Sequence, residues 1–158
     1  MRMPKLVDTN GQLLTDFIPS SELTRIGSEQ PIKEDAIRAT LSDHPNDGVI
    51  VTGDTSIDVL ASLLPELKLI AIEFPSFMDG RGFSLAQQIS TSENFTGELR
   101  ACGSFMLDQL DYLKRCGFNS FEIEDSVSLA SVEKLLSPFS DHYQASATQS
   151  QPLFRRRA

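Results

Sequence analysis

Tryptophan is absent from this 158-residue chain, and cysteine and histidine occur only twice each, as Cys102, Cys116, His44 and His142. With no Cys-x-x-Cys pair and so few nitrogen ligands, the chain has no set from which to build a structural zinc site or hold an iron–sulfur cluster by itself. No metal is therefore expected. Any redox cofactor, a flavin or a nicotinamide being the candidates, is expected to be bound non-covalently or held by a partner. Cations are also scarce: 14 basic residues face 22 acidic ones, for a net charge of -8. Such a surface is poorly suited to releasing counterions from a polyanion, which argues against a nucleic-acid partner. No apolar run approaches the ~20 residues of a membrane span, and the opening MRMPKLVDTNGQLLTD contains no uninterrupted apolar leader. The chain reads as cytoplasmic, with no membrane partner.

What is present suffices for one domain. Hydrophobic residues make up 40% of the chain, ten of them Phe, and this length closes a single core without staples. Leu6-Val7 and Leu13-Leu14 flank Asn10-Gly11, a pair that tolerates the backbone of a tight hairpin turn. Pro31 suits the first turn of a helix carrying Ile32, Ala36, Ile37 and Leu41 on one stripe. From Gly48 onward, strand and helix patterns alternate: VIV then 56–64, LIAIEF then 84–90, ELRAC then 105–115, and FEIE then 128–136. Four such β–α units predict an α/β fold with a mostly parallel sheet, open or half-barrel-like, preceded by the N-terminal hairpin and helix. The expected organisation is a single domain over 1–144, with an annex at 1–47 and the repeat core at 48–144. Residues 145–158, rich in Ser, Gln and Ala, read as a flexible tail ending in Leu153, Phe154, Arg155, Arg156 and Arg157.

In an open parallel sheet, ligands gather beyond the carboxyl ends of the strands. The run FPSFMDGRGFSLAQQI falls there, with Arg81 between two glycines. Ser84 and Gln87 have the spacing of a capping box, which predicts a helix starting after the glycines and places Arg81 at its positive end. Asp79, Arg81 and Ser84 would suit a small oxyanion such as sulfite, sulfate or phosphate. The plainer alternative is an Asp-Gly turn with Arg81 paired to Asp79 or solvated. Strand alternation adds a second constellation, with Glu98, Arg100 and Cys102 on one face of ELRAC. An ionised arginine inside a central strand needs a carboxylate, and Glu73, Asp79 and Glu122 are the candidates. Their pairing with Arg100 would either organise a functional rim shared with Arg81 or simply fix strand register.

Cys102 near a strand's carboxyl end is the candidate reactive thiol. Cys116, at the far end of the returning helix, reads as a packed small hydrophobe too distant for a disulfide. Both histidines lie in acidic, loop-like stretches, and no catalytic triad is recognisable.

The runs LIAIEFPSFMDGRGFSLAQQI and GELRACGSFMLDQLDYLKRCGFNSFEI, with the closing YQ and PLFRRR, resemble a bacterial family of uncharacterised domains. Its members are described as candidate oxidoreductases and are usually encoded beside the haemoprotein subunit of assimilatory sulfite reductase. The resemblance spans roughly 48–157. It implies a role in reducing sulfite to sulfide for cysteine synthesis, either as an accessory or electron-delivering protein with the haemoprotein as partner, or as an oxidoreductase acting alone on a small anion or phosphate-bearing cofactor. In the accessory case, residues 153–157 would anchor the partner. Cys102 stands where the resemblance leads one to expect an aliphatic residue, so a shared mechanism would not use that thiol.

Overall fold

The computed structural model describes residues 3–26, 35, 38, 39, 42, 48–137, 146–148, 150 and 151. Of the helix predicted from Pro31, Asp35, Arg38, Ala39 and Ser42 are helical, while its stripe of Ile32, Ala36, Ile37 and Leu41 and the tail residues Leu153 to Arg157 lie outside the described residues. The first strands are β1 (Lys5–Asp8), β2 (Leu13–Leu14) and β3 (Thr24–Arg25). Four β–α units follow: β4 (Gly48–Thr52) and α1 (Ile57–Ala61), β5 (Leu69–Phe74) and α2 (Arg81–Ser90), β6 (Glu98–Gly103) and α3 (Leu110–Cys116), and β7 (Ser120–Ile123) and α4 (Leu129–Leu136). A 3-10 turn, Leu107–Gln109, leads into α3.

Local chemistry sets most boundaries. Ser56 and Ser128 each accept a backbone N–H from the first turn of their helix, from Asp58 and Ser131 respectively. Gly117 closes α3 at φ 111°, a conformation open to glycine at little cost. The start of α2 differs from expectation. The helix begins at Arg81 and Ser84 lies inside it, because the Asp79 carboxylate accepts the Arg81 N–H and caps the first turn instead of Ser84.

The seven strands form one open sheet in the order β2-β1-β7-β6-β5-β4-β3. Strands β3 to β7 are parallel, while β1 runs antiparallel to β7 and β2 to β1. The expected hairpin is thus an extension of the sheet, and β3, too short to show a pattern in the sequence, borders β4. Since β4 to β7 follow one another in space as in sequence, crossovers of one hand return over one face. That face carries Val49, Val51, Ile70, Ile72, Phe74, Leu99, Ala101 and Phe121, packed in one cluster with Leu60, Leu85, Ile89, Leu110, Leu113 and Val132 of the four helices. Each of these Val, Leu, Ile and Phe side chains contributes about 1.5–3 kcal/mol relative to exposure.

The opposite face receives none of these four helices. Ile50, Leu69, Ala71 and Cys102 form a second, smaller cluster there with Leu23 and Ile18. The segment 16–23, between β2 and β3, therefore acts as a strap over the middle of the sheet. Among the described residues, no helix is long and apolar enough to cross a membrane.

Candidate functional site

The carboxyl edge of the sheet is assembled by close backbone packing. A Cβ on Gly53 would lie 2.3 Å from the Gly82 nitrogen, and one on Gly82 would lie 2.7 Å from Phe74 Cε1. Glycine at both positions lets the loop after β4 seat against the first turn of α2. Arg81 opens that helix with its side chain 62% exposed. Its Nε and Nη2 donate to the two Asp79 carboxylate oxygens at 2.9 and 2.8 Å. This fork-to-fork pair holds the Asp79 carboxyl down at about 2, chiefly through the side-chain hydrogen bonds from Arg81. The corner thus adopts the plainer of the two arrangements: the guanidinium is already matched to a carboxylate.

Arg100 sits elsewhere. It lies within β6 on the face opposite the four helices α1 to α4, 1% exposed, directly between Ala71 of β5 and Ser120 of β7 in register. Its Nε donates to Glu98 Oε1 at 2.9 Å and its Nη1 to the Ile18 carbonyl at 2.6 Å. Glu122 Oε2 stands 3.7 Å from Nη1, and the Phe17 ring covers the guanidinium at 5.5 Å. Ser20 completes the enclosure by donating its N–H and hydroxyl to Glu122 at 3.1 and 2.5 Å. Ser120 donates to Glu98 at 2.5 Å.

Of the expected carboxylate partners, Glu122 is beside Arg100, whereas Glu73 pairs with Arg25 of β3 at 2.6 Å and Asp79 with Arg81. The structure does not bring Arg81 and Arg100 into one rim. One starts a helix at the sheet's edge; the other is sealed beneath the strap. Glu98 supplies the closest carboxylate, and strand alternation had already placed it on the correct face two residues before Arg100. The strap contacts from Phe17, Ile18 and Ser20 carry no local signal, being 80 or more residues distant in sequence.

Cys102 shares this covered face. It is 4% exposed, its Sγ donates to the Ile72 carbonyl at 3.6 Å, and burial pushes the thiol up to about 12. A thiol so protonated and enclosed is a poor nucleophile, so its strand-end position does not give it the expected access to the ligand edge. Cys116 is packed in the main core on the other side of the sheet, and both cysteines are free.

The open space lies at the carboxyl ends of β6 and β7. A cleft of about 820 Å³ is bounded by Met3, Gly103, Phe105, Leu107, Glu122, Glu124, Asp125 and Val127 among others. Its ionisable lining residues are carboxylates. Lys5 of β1 donates to the carbonyls of Asp125 and Val127. Around this edge, Met3, Phe77, Met78 and Met106 are exposed, Met78 by 81%. No group of three or more potential metal ligands occurs among the described residues.

One family model matches residues 48–154, well over half of the chain; the family is described as bacterial protein of unknown function (DUF934). No curated protein and no solved structure matches the chain. The matched span starts at β4 and includes all four β–α units, the Asp79–Arg81 corner, Arg100 and the cleft lining other than its N-terminal residues such as Met3, and the chain belongs to this bacterial family.

Proposed function

We propose that the chain is an accessory protein of assimilatory sulfite reduction that docks on the sulfite reductase haemoprotein through the carboxyl-edge loops of its sheet and assists electron delivery there. The observation that carries the docking is the exposure of Phe77, Met78 and Met106 on loops where an enzyme of this architecture would normally enclose a substrate. Large apolar side chains presented together with polar neighbours favour a macromolecular partner. The state of the two arginines supports the same reading. Arg81 and Arg100 both have carboxylate partners, and the cleft at the carboxyl ends of β6 and β7 is acidic, so a small anion gains little at any of these places. The pathway itself comes from the sequence resemblance described above. Residues 153–157 are a further anchoring element of this docking, and flavin or nicotinamide would be supplied by the assembled complex.

Co-purification with the haemoprotein, followed by sulfite reduction assayed with and without the chain, tests this. The Phe77→Ala, Met78→Ser variant is expected to lose most binding while keeping its melting temperature. Undiminished binding by that variant overturns the docking surface. Stabilisation of the isolated chain by sulfite or a nicotinamide nucleotide would instead support an oxidoreductase acting alone.

A further inference from the structure

We propose that the cleft at the carboxyl ends of β6 and β7 receives an arginine from a basic segment of the partner protein, with Glu124 and Asp125 meeting the guanidinium and Phe105 and Leu107 packing along its stem. This rests on the accessory reading and names the chemistry of the partner's contact surface.

Two carboxylates without a task inside the fold carry the inference. Most acidic side chains near this edge serve a helix end or have a partner of their own. Asp58 and Asp111 lie in the first turns of α1 and α3, Asp108 lies in the 3-10 turn before α3, and Asp79 is paired with Arg81. Glu122 is held by Ser20 and stands beside Arg100. Glu124 and Asp125 break that pattern. They precede Ser128, the cap of α4, by four and three residues, and both are exposed. Glu124 accepts the Ser126 hydroxyl at 3.3 Å, but among the described residues neither carboxylate is in an ion pair. Lys5 directs its ammonium to the backbone carbonyls of Asp125 and Val127 and leaves the carboxylates unneutralised.

The surroundings select the kind of cation. The cleft volume, about 820 Å³, falls in the range of roughly 300–1,000 Å³ common for enclosed ligands, which leaves room for a long side chain and its neighbours. Phe105, Leu107 and Val127 give it an apolar wall. Met106, between Phe105 and Leu107 in sequence, is exposed, as is Met3 of the lining. A strongly hydrated ammonium is poorly matched to such a wall. A guanidinium is weakly hydrated, meets carboxylates with a planar fork and stacks on aromatic rings.

The distribution of charge favours a protein over a free cation. Lys114, Arg115 and Lys134 lie in the last turns of α3 and α4, at the opposite end of the sheet. The chain is thus polarised, and its unneutralised acid shares an edge with exposed Phe77, Met78 and Met106. Such a layout orients a basic partner as it approaches and delivers it to the apolar contact.

Association with the haemoprotein, followed by surface plasmon resonance between about 20 and about 300 mM NaCl, tests this. The wild-type association rate is expected to fall roughly tenfold or more across that range. The Glu124→Gln, Asp125→Asn variant should keep its melting temperature, associate roughly tenfold more slowly at low salt and lose most of the salt dependence. A tri-arginine peptide should compete with the haemoprotein severalfold better than tri-lysine. A complex whose association ignores salt, a variant with unaltered rates, or equal competition by the two peptides overturns this inference and leaves the accessory reading standing. No complex at any salt concentration overturns the accessory reading, and this inference with it. Spermidine raising the melting temperature of the wild type but not of the variant would assign the cleft to a small organic cation. A dimer lost in the variant would assign it to a second copy, and either result overturns the proposal.

Discussion

Replacing Arg100 with alanine tests the argument about the covered face of the sheet most directly. The guanidinium is 1% exposed and meets Glu98 at 2.9 Å, the Ile18 carbonyl at 2.6 Å, Glu122 at 3.7 Å and the Phe17 ring at 5.5 Å. Alanine strands the Ile18 carbonyl and leaves Glu122 with only Ser20 for compensation. Breaking a buried ion pair from one side costs roughly 3–5 kcal/mol. Glu98, a third exposed, can recover water and draws the figure toward the lower end. A loss of about 3 kcal/mol is a large share of a total stability of roughly 5–15 kcal/mol. At about 2–4 °C per kcal/mol, it lowers the melting temperature by around 6–12 °C. Urea unfolding followed by circular dichroism measures the loss. Alkylation of Cys102 measures where it acts, because a strap released from Arg100 uncovers that thiol while Cys116 stays packed. The double variant Arg100→Met, Glu122→Gln should recover much of the stability, since no net charge is then stranded on Glu122. A cost below about 1 kcal/mol for Arg100→Ala, the size of a surface ion pair, would refute the view that this network holds the strap.

Gly53→Ala forces a Cβ to 2.3 Å from the Gly82 backbone, and neither chain can yield as a flexible side chain would, so about 1–3 kcal/mol is lost. The check is a lower urea midpoint with an unchanged slope; wild-type stability would mean the two loops are not packed as described. Asp79, held down at about 2 by Arg81, contributes stability above its unfolded range near 4 that is lost as pH falls through about 2. Carboxyl titration by NMR should therefore find Asp79 ionised at pH 3, and a midpoint near 4 would dissolve the pair. Cys102, raised by burial to about 12, acts in the opposite sense. Its contribution is full below the unfolded thiol range near 8.5 and lost as pH rises toward 12. Alkylation of the native protein at pH 8 should accordingly be slow at Cys102 and become fast only after unfolding.

The order of β–α units was legible from residue pattern alone. LIAIEF occupies β5 residue for residue, and Ser56, Ser128 and Gly117 mark helix ends through bonds and backbone angles that involve only their immediate neighbours. The same locality explains why alternation put Glu98, Arg100 and Cys102 on one face of β6. The Asp79–Arg81 pair was among the arrangements offered by the sequence, because two residues of a turn bring them together. What sequence could not supply was which partners the more distant charges would meet. Glu73 went to Arg25 of a two-residue strand that has no pattern to read. Arg100 was enclosed by Phe17, Ile18 and Ser20 because crossovers of one hand leave the second face of the sheet bare, and the strap that covers it comes from the far end of the chain. Short-range periodicity therefore determined the elements and the side each residue faces. Only the tertiary arrangement, which joins groups some 80 to 100 residues apart, decided that the two arginines stand at separate places and that the open cleft is lined with acid.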